Sequence, residues 1–566
     1  MTKFPATQHA IQFVGAEEVT HNPAKPVTAL RPHDIRIAVD SCGICFSDTK
    51  LLHAFVNHPR KSEVVRVVTS PQGFANGGFD PAASQADLLA ELAASAQYVP
   101  GDVPTVPGHE PTGHIVEVGA AVTRHKVGER VLIQTDYRHL PTAGSGGAFG
   151  YNFEGALQEY VVVDERVATE PGSGDSFLIT VAEGPTSSAI SLIEPWACVE
   201  AAYAWTERQA IASGSHVLVV VDAGRSAPGL DALLAAAGPA RVDVVGDVAL
   251  DGVPNVQHLD APGDAKYDDI LYFGADADVL EDLGRRLGFE GLLAFALGGQ
   301  RLARPVQVDV GRVHYDFIRF AGTAGTDIAA AYATIPPCSE LRADDRVAII
   351  GAAGPMGLMH AMRTAVIGIP GVTMDAVDVD DSRLAHLAET VAPVAAAHGV
   401  PAIFHNSATE PLSAGYTYVA VMVPSPALVA QAVDIAGEGA IVNAFAGFAV
   451  GTTAPIDLNV VAERGVYLMG TSGSRIGDMR AVLARVEAGV VDTNVSLDAV
   501  CGMAGVAEAL AAVVNRTSTG KIMVYPSLPD LGLVRLADLP DVLPPVAAAM
   551  ENGRWTKAAE DVLLGR

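Results

Sequence analysis

Apolar and polar positions divide the chain into two textures. Up to about residue 200 they alternate over short runs. Residues 35–41 (IRIAVDS), 114–119 (HIVEVG) and 130–134 (RVLIQ) read as half-buried strands separated by glycine-bearing turns. From about residue 215, short apolar runs alternate with helical patterns. HVLVVVDAG, VDVVGD, DDILYFGA and GLLAFALGG are strand candidates in one stretch. RVAIIGAAG, TMDAVDVD, YVAVMVP and AIVNAFAG are strand candidates in a second stretch from about 345. Strands alternating with helices predict βαβ units and a parallel sheet in each stretch. Between Leu51 and Pro107 lies an insertion, polar and turn-rich at first. It then carries apolar residues at helical spacing in ASQADLLAELAASA. It reads as a lid, a substrate-side subdomain or a surface decoration.

The two α/β stretches look like an internal repeat. AAYAW at 201–205 resembles AAYAT at 330–334, VLVVVDAG at 217–224 aligns with VAIIGAAG at 347–354, and AGTAG at 321–325 resembles MGTSG at 469–473. The order of strand, glycine turn, helix and strand, ending near GTxG, is common to both.

Bulk properties narrow the function. The chain has 566 residues, 65 acids against 37 bases and a net charge of -28. That acidity excludes a phosphate-backbone partner and disfavours an anionic membrane surface. No apolar run reaches the ~18–20 residues a membrane span needs, and the N-terminus has no basic-then-apolar signal pattern. Five cysteines (Cys42, Cys45, Cys198, Cys338, Cys501) are too few and odd in number for a disulfide framework, which points to a reducing cytoplasm.

Candidate chemistry begins at SCGICFSDTK (41–50) and GHEPTGHIVEVGAAV (108–122). Cys42 and Cys45 form a CxxC, which alone suits a redox pair. The pair follows a strand and precedes Ser-Asp and a later Gly-His-Glu block, which argues for a metal. These motifs resemble the zinc site of the medium-chain alcohol and polyol dehydrogenases. The resemblance implies Cys45 and His109 as zinc ligands, with Glu110 at or near the metal. Glu194, in LIEPWAC, resembles the Glu-Pro motif of the polyol branch, where the Glu contacts zinc or its water; a plain helix-start carboxylate is the alternative. Such a zinc takes about three protein ligands and leaves one position for the substrate hydroxyl, whose pKa it lowers. Ser47 stands at the family's proton-relay hydroxyl and Asp48 at the carboxylate that orients the zinc histidine. Lys50 replaces a relay histidine found in some relatives. His53, His58, His114 and His125 read as surface or turn residues. No group of four close cysteines lies between His109 and Glu194, so one catalytic zinc is expected and no structural zinc.

The cofactor signal is VAIIGAAGPMGLMHAM. Gly351, Gly354 and Gly357 permit a tight turn, approach of a pyrophosphate and close helix packing, with Pro355 and Met356 opening the helix. Asp378 follows about 20 residues on, at the end of the next predicted strand, where an acid binds the adenosine ribose. That favours NAD, with NADP open, and Arg383 flanks the adenine or serves a phosphate. In the first copy the turn reads DAGRSAPG, where Gly224 aligns with Gly354 but Arg225, Ser226 and Ala227 replace Pro-Met-Gly, so that copy is expected to be degenerate and not to bind dinucleotide.

The resemblance extends to the L-sorbose-1-phosphate reductase-like branch through GYNFEG (150–155), EPWAC (194–198), GPMGLMHA (354–361), VDVDDSRLA (377–385), GTSG (470–473) and NGRWTKAAEDVLL (552–564). It implies α/β plus β architecture: a GroES-like β-barrel catalytic domain with two tandem Rossmann-type doubly wound parallel sheets. The expected domains are 1–200 (catalytic, with the insertion at about 52–107), 201–329 (degenerate copy), 330–490 (NAD(P)-binding copy) and 491–566 (return to the catalytic domain and tail). The implied activity is hydride transfer between a nicotinamide cofactor and the secondary alcohol or ketone of a polyol, sugar or sugar phosphate. Arg60, Lys61 and Arg66 are either ligands for a substrate phosphate or a basic surface cluster. Two alternatives are a catalytically silent binding protein that kept the fold and a zinc-free quinone-type reductase. The first copy is expected to stand in for a dimer partner, giving a monomeric pseudo-dimer, with a homodimer as the alternative.

Overall fold

The computed structural model describes residues 4–69 and 78–566, so the turn-rich middle of the insertion, 70–77, lies outside the described residues. The chain forms two compact units, Met1–Glu200 with Gly473–Arg566 and Ala201–Ser472. Residues 473–490, expected with the cofactor domain, thus belong to the first unit.

The first unit is built on a bent β-sheet. Its central strand, Asp34–Ile44, is almost wholly buried because it is flanked on both sides. It pairs antiparallel with Glu110–Val118, with Tyr160–Asp164 and, from the far end of the chain, with Lys521–Val524. Leu497–Cys501 adds parallel to that last strand. The C-terminal segment therefore completes the sheet that carries the Cys45 and His109 motifs. In the insertion, the helix Gln85–Ala93 starts at Ser84, whose side chain accepts from the Asp87 amide, and it buries Leu88 and Leu92.

The second unit holds two six-stranded parallel sheets. The first comprises His216–Val221, Arg241–Val245, Val256–Leu259, Tyr267–Phe273, Leu287–Ala296 and Arg319–Thr323. The second comprises Arg346–Ile350, Thr373–Asp378, Ala402–Asn406, Tyr416–Val421, Ala436–Asn443 and Tyr467–Met469. Counted along the chain within each sheet, both run 3-2-1-4-5-6, the doubly wound order of dinucleotide-binding domains. The expected α/β plus β class, with tandem Rossmann-type sheets beside a GroES-like unit, is what the structure has.

The two copies share one core, in which Phe295, Ile318 and Phe320 of the first are buried with Val442, Ala454 and Leu468 of the second. Val306–Asp309 and Thr453–Ile456 form an antiparallel ladder between the copies. Asp309 and Asp457 cap the corresponding helices Val310–Tyr315 and Leu458–Arg464. Two residues before each cap stand Gln307 and Pro455, and these face one another in the ladder. Equivalent positions therefore meet, as they do about a two-fold axis. The last strands lie side by side, with Arg319 Nη2 donating to Gly470 O at 2.9 Å. Among the described residues no helix is long and apolar enough to cross a membrane.

Candidate metal centre and cofactor turn

The metal centre forms where the central strand runs into a helix. Cys45 is the N-cap of Phe46–Ala54, and Asp48, at the third helical position, accepts from the Cys45 amide at 2.9 Å. The other Asp48 oxygen accepts from the Gly108 amide at 3.3 Å and meets His109 Nδ1 at 3.1 Å. One buried carboxylate thus caps the helix and fixes the imidazole, so that Nε2 is the nitrogen left for a ligand. Ser47 Oγ lies 2.9 Å from Cys45 Sγ and 3.0 Å from His109 Nε2.

Register delivers the third group. Glu110 sits opposite Gly43 in the ladder, and a Cβ on Gly43 would lie 2.1 Å from Glu110 Oε2. The missing side chain is the space the carboxylate occupies. Glu110 Oε1 accepts from Lys521 Nζ at 2.5 Å, whereas buried Oε2 has no hydrogen-bond partner. Cys45, His109 and Glu110 each offer a ligand atom, and these atoms lie within 4.8 Å of one another. Thiolate, imidazole and carboxylate make a mixed donor set of the kind zinc accepts with an open position. Burial disfavours the His109 cation, but the Tyr151 hydroxyl, Asp48 and Cys45 outweigh it and hold the imidazole well above its usual value. That anionic field suits a cation. An orphaned carboxylate oxygen, a mixed donor set and a negative field together fit a metal ion.

Glu194 is outside this three-residue group. It lies in the first turn of Ile193–Ala204, buried, with Cys198 Sγ donating to it at 3.8 Å. Burial pushes its carboxyl up to about 7, opposed by His109 and assisted by Glu110 and Asp136. Cys42 lies within the strand, and burial pushes its thiol far above the usual range. The pair ends a strand, and Cys45 also caps a helix, so position alone does not set aside a redox pair. What separates Cys42 from redox chemistry is its burial. The Lys50 ammonium sits 5.4 Å over the Phe46 ring.

Three residues enter this neighbourhood without having been assigned a role from the sequence. Tyr151 packs on His109 with ring centroids 5.5 Å apart. Lys521 compensates Glu110, and Asp136 accepts from Arg60 at 2.5 Å. Tyr151 lies in GYNFEG, which carries the resemblance without a chemical signal of its own, and Lys521 opens the strand Lys521–Val524. Lys61 is not a surface base: it is fully buried, and its ammonium donates to the carbonyls of Val99 and Val103. Arg66 is exposed. His53, His114 and His125 pair with Glu17, Asp40 and Glu129. His58 instead packs on Tyr151 with centroids 5.2 Å apart.

In the second unit the residues expected at the cofactor gather on the second sheet. Gly351 has φ 85°, and its amide and that of Ala352 donate to Val377 O at 2.8 and 2.9 Å. Gly354 is the N-cap of Pro355–Val366, which Pro355 and Met356 open. A Cβ on Gly357 would lie 2.4 Å from Gly351 O, so only glycine lets this helix approach the turn. Asp378 ends the second strand, and its Oδ2 accepts from the Ala353 amide at 3.1 Å. Arg383 is in the first turn of Asp381–Ala397. In the first sheet, Asp222–Gly229 separates the first strand from a helix that begins only at Leu230. That loop is longer than 351–354, and the helix N-terminus starts further from the strand end.

Residues 84–171 match the alcohol dehydrogenase GroES-like domain family. The chain is 26% identical over 327 residues to an uncharacterized protein of Escherichia coli K12, a match spanning 50% of this chain and 73% of that one. It is 25% identical over 270 residues to a mannitol-1-phosphate 5-dehydrogenase of Aliivibrio fischeri, spanning 40% of this chain and 60% of that one. Its fold is shared with the crystal structure of 2R,3R-butanediol dehydrogenase from Bacillus subtilis, at a TM-score of 0.51 and 15% identity, covering 92% of this chain and all (100%) of that one.

Proposed function

We propose that the protein is a zinc-dependent, NAD-linked oxidoreductase of the medium-chain dehydrogenase type, acting on the secondary alcohol of a polyol, sugar or sugar phosphate. The observation that carries this is the convergence of Cys45, His109 and Glu110, with Glu110 Oε2 buried and unpartnered. When bound, zinc supplies an electrophile that acidifies a substrate hydroxyl. Cys45 and His109 would hold it, with Glu110 at or near the metal and Glu194 beside them. Asp48 keeps the His109 Nδ1 proton and so presents Nε2. The Ser47 hydroxyl, within hydrogen-bond reach of both ligands, is placed to accept the proton a substrate hydroxyl gives up. Lys521 balances the Glu110 charge.

The cofactor binds on the second copy. Gly351, Gly354 and Gly357 open space for the pyrophosphate, helped by the helix that starts at Pro355 and Met356, while Asp378 and Arg383 receive the adenosine. An acid at Asp378 repels a 2′-phosphate and so favours NAD over NADP. A phosphorylated polyol gains support from Arg60, which stands 5.4 Å over the Tyr151 ring, itself packed on His109. The Asp136 carboxylate pairs with both Arg60 and Arg138.

Zinc content together with NADH formation on paired polyols and polyol phosphates tests this reading. Stoichiometric zinc and NADH formation are expected. A chain that binds neither metal nor nicotinamide would be the silent binding protein instead.

A further inference from the structure

In a sheet ordered 3-2-1-4-5-6, ligands settle outside the carboxyl ends of the first and fourth strands, where the strand order reverses. In the first sheet that position is a cavity of about 210 Å³. Gly224, Arg225 and Ser226 line it from the turn after the first strand, Phe273 from the end of the fourth, Gly298 from beyond the fifth and Thr326 from beyond the sixth. We propose that this cavity is a second binding site, for a small phosphate-bearing metabolite, separate from the dinucleotide turn of the second copy.

Three features carry the proposal. The first is an uncompensated charge. Arg225 donates to Leu297 O at 3.2 Å, to Gly298 O at 3.4 Å and to Gln300 Oε1, all neutral acceptors, and no carboxylate pairs with it among the described residues. Three such bonds hold the guanidinium in place while leaving some of its five N–H donors for an anion. The second is a set of unused donors in the same wall. Among the described residues, the amides of Gly224 and Ser226 and the hydroxyls of Ser226 and Thr326 donate to no protein acceptor. These two amides flank Arg225, whose own amide donates to Asp222 O at 3.0 Å, so they stand on either side of the guanidinium's residue as further donors for an anion. The third is size. At about 30 Å³ per water the cavity holds about seven waters, room for a compact metabolite. The long Asp222–Gly229 turn, which removes the helix start from the strand end, is what makes this site differ from the turn at 351–357.

Calorimetric titration of the full chain with inorganic phosphate and with ribose 5-phosphate tests this, with NAD present to fill the second copy. Both should bind, ribose 5-phosphate more tightly. Arg225→Gln should weaken both at least ten-fold and leave NAD affinity unchanged. Ser226 is exposed, so Ser226→Asp provides a variant that does not disturb the core, and it should weaken both similarly by repulsion. Absence of phosphate binding in the unaltered chain, or affinities that neither substitution moves, would overturn the proposal.

Discussion

At the scale of single residues, the candidate centre depends on groups that serve structure and chemistry together. Asp48 caps a helix and orients His109, so its loss would mix two effects. Ser47 is cleaner, because among the described residues its hydroxyl bonds only toward Cys45 and His109. Ser47→Ala is expected to keep its zinc and lower kcat by on the order of 100-fold, the usual size of a lost proton relay. Metal analysis beside steady-state kinetics decides it, and unchanged kcat would remove Ser47 from the proton path. A second residue governs acid stability. His360 is fully buried with Nδ1 on the Tyr203 hydroxyl at 2.9 Å, and burial, with Arg363 adding, lowers its pKa to about 3. Between the ordinary histidine value near 6.5 and about 3, the unfolded chain carries a proton there that the folded chain refuses. Stability therefore falls as pH drops below 6.5, by about 1.4 kcal/mol per pH unit for one such group. His360→Gln should flatten the acid limb of a denaturation-midpoint curve between pH 6 and 4. An equally steep limb would place the proton uptake elsewhere, His139 being the next buried histidine, with its pKa lowered to about 4.

At the scale of elements, the two glycine turns make a controlled pair. Gly357→Ala would drive a Cβ to 2.4 Å from Gly351 O and force the cofactor helix outward. NAD affinity should fall at least ten-fold. Gly224 has φ 76° with nothing within 4 Å of an added Cβ, so Gly224→Ala should cost only about 1 kcal/mol of backbone strain and leave NAD binding intact. Equal losses of NAD affinity in both variants, read by NADH fluorescence, would mean both turns hold dinucleotide. The same elements show what the sequence made legible. Strands buried on both faces, such as His216–Val221 and Tyr416–Val421, stand out as continuous apolar runs. The third strands, Val256–Leu259 and Ala402–Asn406, do not, because as sheet edges they bury no residue fully and keep no apolar run. Cys45, Ser47, Asp48 and His109 were legible through the resemblance because the motifs that carry it lie in two short segments. Lys521 was not, because only the antiparallel pairing of Lys521–Val524 with the central strand carries it to Glu110. Tyr151 reaches His109 by loop geometry that no periodicity encodes.

At the scale of the whole molecule, the ladder between the copies sets the expected state of association. An isologous contact between separate subunits is lost on dilution, whereas the same contact within one chain is not. Here Gln307 faces Pro455, its equivalent, across the ladder, and the flanking Val306 and Ile456 are fully buried in a core common to both sheets. The surface through which a single sheet would pair with a second chain is therefore already covered from within. The protein should sediment as a monomer at micromolar concentration, and its unfolding midpoint should not depend on concentration. Ala454→Asp buries an unpaired charge in the ladder, where Ala454 has no exposed surface. It should lower the midpoint by the same amount at every protein concentration, because a tethered interface loses stability without changing molecularity. A midpoint that rises with concentration in the unaltered chain, together with a dimer that Ala454→Asp dissociates, would show instead that this edge joins two chains.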